Sequence, residues 1–210
     1  MSNGVINTAS PPILYKYTRF DEEKHFTDLF INNELFMSSP ANFNDPFDCH
    51  LLIRYDKGNK KQILTQYENT LKMQHTKLTK KEIKTQAENQ FKIGKHNNID
   101  IMQKNFENKT NCLFGIYCLS KKYSNLLCWS HYADSHKGIC VGISTNELIK
   151  YSITQYSDVK LCALYKVFYK KQYPVINPYS KDYISSLQQI FQVKYDGWEY
   201  EDEYRFVLHN

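Results

Sequence analysis

The chain has few glycines, and it lacks the short motifs by which several common enzyme classes are identified. It contains 7 Gly and 6 Pro, against 17 Tyr and 12 Phe. It has no Gly-rich phosphate loop, no G-x-S-x-G, no H-E-x-x-H and no Rossmann fingerprint. These absences weigh against an NTPase, a common hydrolase and a dehydrogenase, and the composition weighs against a low-complexity or disordered chain.

Long apolar segments are also missing. No apolar run approaches the roughly 20 residues that span a bilayer, and the opening MSNGVINTASPP has neither the basic nor the apolar region of a signal peptide. We therefore expect a cytoplasmic protein with no membrane contact and with its 6 cysteines reduced. The sequence indicates no particular oligomeric state.

Four residues have a spacing that superficially resembles a zinc knuckle. They are Cys128, His131, His136 and Cys140, and their side chains are suitable zinc ligands. Cys140, however, lies in an apolar run that predicts a strand, where a buried free cysteine is common. We therefore expect no metal at this segment.

The positive charge is concentrated in one segment. The chain has a net charge of +5, but residues 57–109 carry 12 lysines against 5 acidic residues, a net charge of +7, which leaves −2 for the remainder. Apolar residues at helical spacing and a Thr79-x-x-Glu82 capping box predict helices here. We interpret residues 57–109 as a lysine-rich helical insertion. Its lysines either contact nucleic acid through phosphates or form a solvated helical face.

The rest of the chain predicts an α+β fold. Short segments rich in branched and aromatic residues predict strands at 13–17, 113–119, 138–143 and 161–169. Together with the helical segments, they predict one domain over residues 1–210, with a flexible terminus at residues 1–11. We expect a mixed or antiparallel sheet, either continuous or split, with flanking helices.

The end of the chain alternates ionic and aromatic side chains. Glu199, Glu201, Glu203 and Arg205 occupy every second position of a predicted final strand, so pleating directs them to one face. That face is either a solvated ladder of salt bridges or a site. In a functional site, repulsion between closely spaced carboxylates raises the pKa of one of them, whereas contact with Arg205 lowers the pKa of another. One carboxyl group can then donate a proton while the other stays charged.

Two further segments carry side chains of the types that bind ligands. Trp129, His131 and Tyr132 lie in NLLCWSHYADSHKG, and Asn44 and Asp45 lie in the proline-containing loop SSPANFNDPFD. Each segment also has a structural interpretation, as aromatic core residues in the first and as an Asx-turn in the second. We expect the three segments to converge on one pocket.

Four motifs together resemble a known family. LYKY, SSPxxFNDPFD, CWSHYADxHKGICVG and WxYEDEYRF occur in an order and spacing similar to an uncharacterised, mostly bacterial family of domains of unknown function. The resemblance extends from Ile13 to Val207 and implies no activity. More distantly, the three-part arrangement resembles ADP-ribosyltransferases, which bind NAD in the cleft of a split sheet with one residue from each of three separated strands.

The resemblance to ADP-ribosyltransferases implies three roles, with two candidate residues of this chain for each. The candidates are Lys16 or Arg19 to orient NAD, Ser120 or Tyr132 to line the nicotinamide pocket, and Glu201 or Glu203 to contact the ribose. A carboxylate in the last position would stabilise the developing ribosyl cation. The first strand of this chain, however, lacks the His or Arg expected there.

The leading hypothesis is a transferase of ADP-ribosyl or other glycosyl groups that uses NAD as co-substrate. Its late carboxylates would stabilise the ribosyl cation, and Trp129 or Tyr132 would stack on the nicotinamide. Two alternatives stay open. One is a non-enzymatic recognition module, for nucleic acid or for a partner in a defence or toxin-like system. The other is a hydrolase that holds a divalent ion with Asp45, Asp48 and the late carboxylates.

Overall fold

The computed structural model describes residues 10–20, 25–155 and 161–209. Residues 1–9 of the predicted flexible terminus therefore lie outside the described residues. The predicted α+β class is confirmed. Within the described ranges, no helix combines the length and the apolar character that crossing a membrane requires.

Contacts between Cα atoms group the chain into two compact units. The first unit comprises Met1–His50, Thr110–Tyr173 and Ile190–Asn210, and the second comprises Leu51–Lys109 and Pro174–Gln189. The division of the chain into one domain over residues 1–210 stays a prediction.

The first unit contains a five-stranded antiparallel sheet. Its strands are β1 (Ile13–Thr18), β3 (Phe114–Ser120), β4 (Ile139–Ser144), β5 (Leu161–Lys166) and β9 (Glu203–His209). They lie in the order β4-β1-β3-β9-β5. A parallel pair adds β6 (Phe168–Lys170) and β8 (Val193–Tyr195). The helices are α1 (His25–Phe30), α5 (Leu126–Tyr132), α6 (Thr145–Gln155) and α8 (Gln189–Gln192).

The central strands of this sheet separate an apolar face from a polar face. Tyr117 of β3 and Phe206 of β9 point into a buried core that also contains Leu14, Leu148 and Leu164. Residues of the opposite parity form the other face, because successive side chains of a strand alternate. There the antiparallel register sets Cys118 opposite Arg205 and Ser120 opposite Glu203.

The sheet opens between β1 and β3. Strand β1 pairs with β4 over its whole length. Its register with β3 is Tyr15 opposite Ser120, with no further pair of these strands among the described residues. Nearer the start of β3, Ile116 exchanges two backbone hydrogen bonds with Ser38 instead, of 2.8 and 2.9 Å. The sheet is therefore split where β1 runs on beyond Tyr15.

The final strand begins later than the alternating sequence predicts. Asp196–Glu201 form a 3₁₀ helix, and Asp202 has left-handed backbone angles, φ 46° and ψ 54°, immediately before β9. Aspartate is one of the few residues that adopt this conformation readily. The prediction that Glu199 and Glu201 belong to one pleated strand with Glu203 is wrong, because the turn at Asp202 breaks the alternation.

The second unit is mainly helical. Its helices are α2 (Lys60–Gln74), α3 (Lys80–Lys92), α7 (Tyr183–Leu187) and α4 (Ile99–Leu113) as far as Lys109, and β2 (Leu52–Ile53) pairs in parallel with β7 (Val175–Ile176). Helix α3 begins with the predicted capping box, which is confirmed, because Thr79 Oγ1 accepts from the Glu82 amide and Glu82 Oε2 accepts from the Thr79 amide. The buried core residues are Ile63, Tyr67, Leu71, Ile83 and Ala87.

Candidate functional site

Five ionic side chains of the first unit form a buried group, called here the charge cluster. Its members are Asp48, Lys194, Glu201, Glu203 and Arg205, and each is at most 5% exposed. They come from the loop that follows Ser39, from β8, from the 3₁₀ helix and from β9. Three carboxylates thus share two cations away from bulk water, where unpaired charge is costly.

Arg205 joins the carboxylates of Asp48 and Glu203 at one end of the cluster. We call it the enclosed end, because the Arg205 side chain is 0% exposed. Its Nη1 and Nη2 donate to Asp48 Oδ1 and Oδ2 at 2.8 and 2.6 Å, and its Nε donates to Glu203 Oε1 at 2.8 Å. Burial alone would raise the pKa of Glu203, but the charges of Arg205 and Lys194 lower it below its ordinary value of 4.5. Glu203 is therefore an ionised carboxylate that the protein itself neutralises.

Lys194 joins the enclosed end to Glu201. Its Nζ lies 2.5 Å from Glu201 Oε2, 3.2 Å from Glu203 Oε2 and 3.5 Å from Asp48 Oδ2. Burial alone would lower the pKa of this amine, but the three carboxylates raise it above its ordinary value of 10.5. The side chain is consequently an ammonium ion, and it does not act as a nucleophilic amine.

Glu201 has a different set of partners. Tyr132 donates its hydroxyl proton to Glu201 Oε1 at 2.5 Å, and Ser120 Oγ donates to the Glu201 carbonyl oxygen at 2.6 Å. Burial raises the pKa of Glu201 above 4.5, against the lowering effect of Lys194. Burial and then the Glu201 charge raise the pKa of Tyr132, so the phenol stays neutral and keeps its proton to donate.

Helix α5 brings Tyr132 to this carboxylate. Asn125 caps the helix, because its Oδ1 accepts from the amides of Leu127 and Cys128 at 3.0 and 3.2 Å. The same side chain donates through Nδ2 to the carbonyl oxygen of Tyr200. One residue therefore fixes the start of α5 against the segment that carries Glu201.

A cavity of about 590 Å³, called here the cleft, opens beside Glu201 in the split of the sheet. One wall is the diverging part of β1, from Tyr15 to Thr18, with Arg19 directly after it, and another is β3 from Ile116 to Ser120. The loop that carries Asn44 and the end of α5 line it as well. Its volume lies in the usual range for sites that bind small molecules.

Most of the residues that the sequence predicts for the site line the cleft. They are Lys16, Arg19, Asn44, Ser120, His131, Tyr132, Glu201 and Glu203. Asn44 Nδ2 donates to the Tyr132 hydroxyl at 3.4 Å, so the loop that carries Asn44 meets the segment that carries Tyr132. Lys16 Nζ donates to the Cys118 carbonyl at 3.2 Å across the split, whereas the Arg19 side chain is exposed.

Three predicted site residues are not among those that line the cleft. Arg205 is 0% exposed and is engaged by the carboxylates of the cluster. Asp45 accepts from the Phe47 amide at 2.9 Å, which is the Asx-turn interpretation of that segment. Trp129 donates through Nε1 to the Tyr123 carbonyl at 2.9 Å, and its ring packs edge-on against Tyr17.

Sequence reasoning missed Lys194. The available signal is weak, because Lys194 is a single charged residue in the otherwise buried run of Ile190, Phe191 and Val193. A lysine at such a position is almost never fully buried unless it is paired with a carboxylate. A lysine in this apolar run therefore indicated a buried ion pair, although its partners could not be named without the fold.

The carboxylates of the cluster are not arranged as a set of metal ligands. In the part of the chain that the structure describes, no group of three or more His, Cys, Asp and Glu side chains is placed to hold a metal ion. Both oxygens of Asp48 instead accept from Arg205. Glu201 accepts from a neutral donor of the cleft wall, the Tyr132 hydroxyl.

Comparison with known families matches part of the chain. Residues 128–206 match the model of a family described as "Protein of unknown function (DUF2971)". This range begins in α5 and ends in β9, so it includes Tyr132, Lys194, Glu201 and Arg205 but not Asp48. The comparison supports a domain of unknown function over these residues, and the resemblance to ADP-ribosyltransferases stays a prediction. No curated protein and no solved structure matches the chain.

Proposed function

We propose that this protein transfers an ADP-ribosyl or related glycosyl group from NAD and that the reaction takes place in the cleft at Glu201. The observation that carries the proposal is the position of the Glu201 carboxylate. It is buried, bonded to Tyr132 at 2.5 Å, and lies at the wall of a cavity that opens through a split sheet. A carboxylate in such a low-dielectric site interacts strongly with positive charge that develops beside it.

The proposed reaction breaks the bond between ribose C1′ and the nicotinamide nitrogen. The electron pair leaves with nicotinamide, which becomes neutral, and the positive charge moves to the ribose. The Glu201 carboxylate stabilises this oxocarbenium-like state. An acceptor hydroxyl, amine or water then bonds to C1′ and releases its proton. Because the pKa of Glu201 is raised, its carboxylate is a better proton acceptor than an ordinary glutamate.

Glu201 is a better candidate than Glu203 for this role. Both oxygens of Glu203 accept from Arg205, and one of them also lies 3.2 Å from Lys194. A carboxylate neutralised in this way has little electrostatic effect left for a ligand. Glu201 Oε1, by contrast, accepts from a neutral phenol, so more of its charge is directed to the cleft.

The wall of the cleft formed by β1 and the residue after it suits the diphosphate of the proposed substrate. Lys16 lies on the diverging part of β1 and Arg19 directly follows this strand, and both line the cavity. Cationic side chains make charge-assisted hydrogen bonds to phosphate oxygens. Lys16 and Arg19 would thus bind the diphosphate of the ligand whose ribose lies at Glu201.

The proposal is tested by nicotinamide release and by calorimetric titration with NAD. We expect saturable NAD binding and slow nicotinamide release by the wild-type protein. Glu201→Gln should lower the release rate about 10²–10³-fold, as expected when one group that stabilises developing charge is lost. Glu199→Gln is the matched control, because Glu199 lies in the same 3₁₀ helix with an exposed side chain.

The control variant should release nicotinamide at the wild-type rate and melt at the wild-type temperature. Two results would contradict the proposal. One is the absence of NAD binding by folded wild-type protein, and the other is an unchanged rate in Glu201→Gln.

A specific observation in the second unit supports a further candidate function, binding of nucleic acid. All lysines of residues 57–109 whose side chains are described are exposed, in a segment with a net charge of +7. Such a surface binds phosphates and releases counterions, so binding weakens steeply with salt. We expect the triple variant of Lys80, Lys81 and Lys84 to Gln to bind a labelled RNA or DNA with a shallower salt dependence. Binding that is absent, or that does not respond to salt, would contradict this candidate.

A further inference from the structure

We infer that Lys194 is a positioning residue for Glu201, whose ammonium group holds one carboxylate oxygen and thereby directs the other to Tyr132 at the cleft. The inference rests on the proposed function where it concerns turnover, but the contact itself has consequences that do not depend on any reaction. Lys194 Nζ lies 2.5 Å from Glu201 Oε2, and the Tyr132 hydroxyl lies 2.5 Å from Oε1. Two donors on two different oxygens fix the plane of the carboxylate.

The surroundings of Lys194 leave its ammonium little freedom. It lies on the short strand β8, which pairs with β6, and its side chain is 4% exposed. Its Nζ lies 4.9 Å from the centre of the Trp198 ring, in a cation–π arrangement. The remaining contacts are Glu203 at 3.2 Å and Asp48 at 3.5 Å. Because Trp198, Glu203 and Asp48 restrict the position of the ammonium group, its contact with Glu201 also restricts the position of the Glu201 carboxylate.

The charge of Lys194 also sets how readily Glu201 takes up a proton. Burial favours the protonated form of Glu201, and Lys194 is the largest influence in the opposite direction. A cation at this distance typically lowers the pKa of a carboxylate by about 1–3 units. The same contact therefore determines both the orientation and the charge of Glu201.

Other groups around Glu201 act on it as well and must stay constant in any test. They include the acids Glu203 and Asp48, the cation Arg205, the phenols of Tyr132, Tyr169 and Tyr200, and the thiol of Cys128. Substitution of Lys194 alone leaves all of them in place, so a change in the titration of Glu201 can be assigned to the lost ammonium.

The direct test is a pH titration of the protein labelled with ¹³C at the glutamate side-chain carboxyl carbons. The Glu201 resonance is identified as the one that Glu201→Gln removes. We expect Lys194→Met to raise the pKa of this carboxyl by about 1–3 units. Lys166→Met is the matched control, because Lys166 is an exposed lysine of β5, and it should leave the titration unchanged. An unchanged Glu201 titration in folded Lys194→Met would overturn the inference.

A second measurement uses only folded protein, in case Lys194→Met does not fold. In the wild type, the ¹⁵N resonance of Lys194 Nζ should shift with the same midpoint as Glu201, and this shift should disappear in Glu201→Gln. A Lys194 resonance that does not follow the titration of Glu201 would equally overturn the inference.

The link to turnover is measured separately. If the proposed transfer occurs, the acidic limb of its pH–rate profile reports deprotonation of Glu201, and this limb should move to higher pH in Lys194→Met. A purely structural role would instead lower the rate at every pH without moving the limb. If no turnover is found in the wild type, the proposed function fails, while the two resonance titrations still decide the role of Lys194.

Discussion

The two ends of the charge cluster hold the same kind of side chain in different surroundings. At the enclosed end, Glu203 is neutralised by the guanidinium of Arg205 and by Lys194. At the other end, called here the open end, Glu201 accepts from the neutral phenol of Tyr132. Both glutamates line the cleft, so the difference between them lies in their partners. Two glutamates separated by one residue therefore differ in role because of their partners, as carboxylate pairs with divergent pKa values do in general.

The difference is visible in the directions of the two pKa shifts. The pKa of Glu203 is lowered despite complete burial, because Arg205 and Lys194 outweigh desolvation. The pKa of Glu201 is raised, because desolvation outweighs the single close cation. Glu203 thus contributes to folding as a permanent charge, whereas Glu201 can change its protonation state during a reaction.

Removal of the cation at the enclosed end should have the largest effect on stability. Arg205→Met leaves Asp48 and Glu203 buried without their main partner, and breaking such a buried pair typically costs about 3–5 kcal/mol. We expect urea unfolding to show a loss of this size or to find the variant unfolded. The comparison of the two ends would be broken if Arg205→Met were as stable as the wild type.

Arg54→Met is the matched control for this experiment. Arg54 makes a similar two-bond contact with Asp56, at 2.7 and 2.6 Å, but the two side chains are 32% and 26% exposed. Water screens such a pair and solvates whatever is left after one partner is removed. The control should therefore lose much less stability than Arg205→Met, although both substitutions remove an arginine that is paired with an aspartate.

Much of the fold was predictable from local patterns. The strand at Ile13 and the helix that begins after Thr79 follow from branched residues and from a capping box, both of which act over a few residues. The charged face of β9 likewise follows from the two-residue period of a strand, which places Glu203 and Arg205 on one side. Such features depend on neighbours in sequence, and the structure contains them.

The parts of the site that could not be predicted depend on contacts between distant segments. The turn at Asp202 interrupts an alternation that otherwise continues in the sequence, and the preference of aspartate for turns is a weaker signal than that alternation. Lys194 and Glu201 lie close in sequence, but they share the cluster with Asp48, which a distant loop supplies and which sequence patterns do not specify. The split of the sheet likewise appears only in the register of β1 with β3, which is the single pair of Tyr15 and Ser120 among the described residues.

The prediction with the smallest expected change in stability compares a tyrosine at each end of the cluster. Tyr169 accepts through its hydroxyl from the Glu203 amide at 2.8 Å, at the enclosed end, whereas Tyr132 donates to Glu201 at the open end. Tyr169→Phe leaves a buried amide unpaired and should cost about 1–3 kcal/mol, whereas Tyr132→Phe should cost only about 1 kcal/mol, because Glu201 retains Lys194.

Turnover should show the opposite order, because the loss of the Tyr132 hydroxyl changes the orientation and charge of Glu201 at the cleft. We expect nicotinamide release per folded molecule to fall about tenfold in Tyr132→Phe, which corresponds to about 1.4 kcal/mol in the barrier, and to change little in Tyr169→Phe. Urea unfolding and initial rates, measured on the same preparations, give both quantities. If the two variants lost stability and activity in the same proportion, the open and enclosed ends would not be functionally distinct, and the assignment of Glu201 to the reaction would lose its basis.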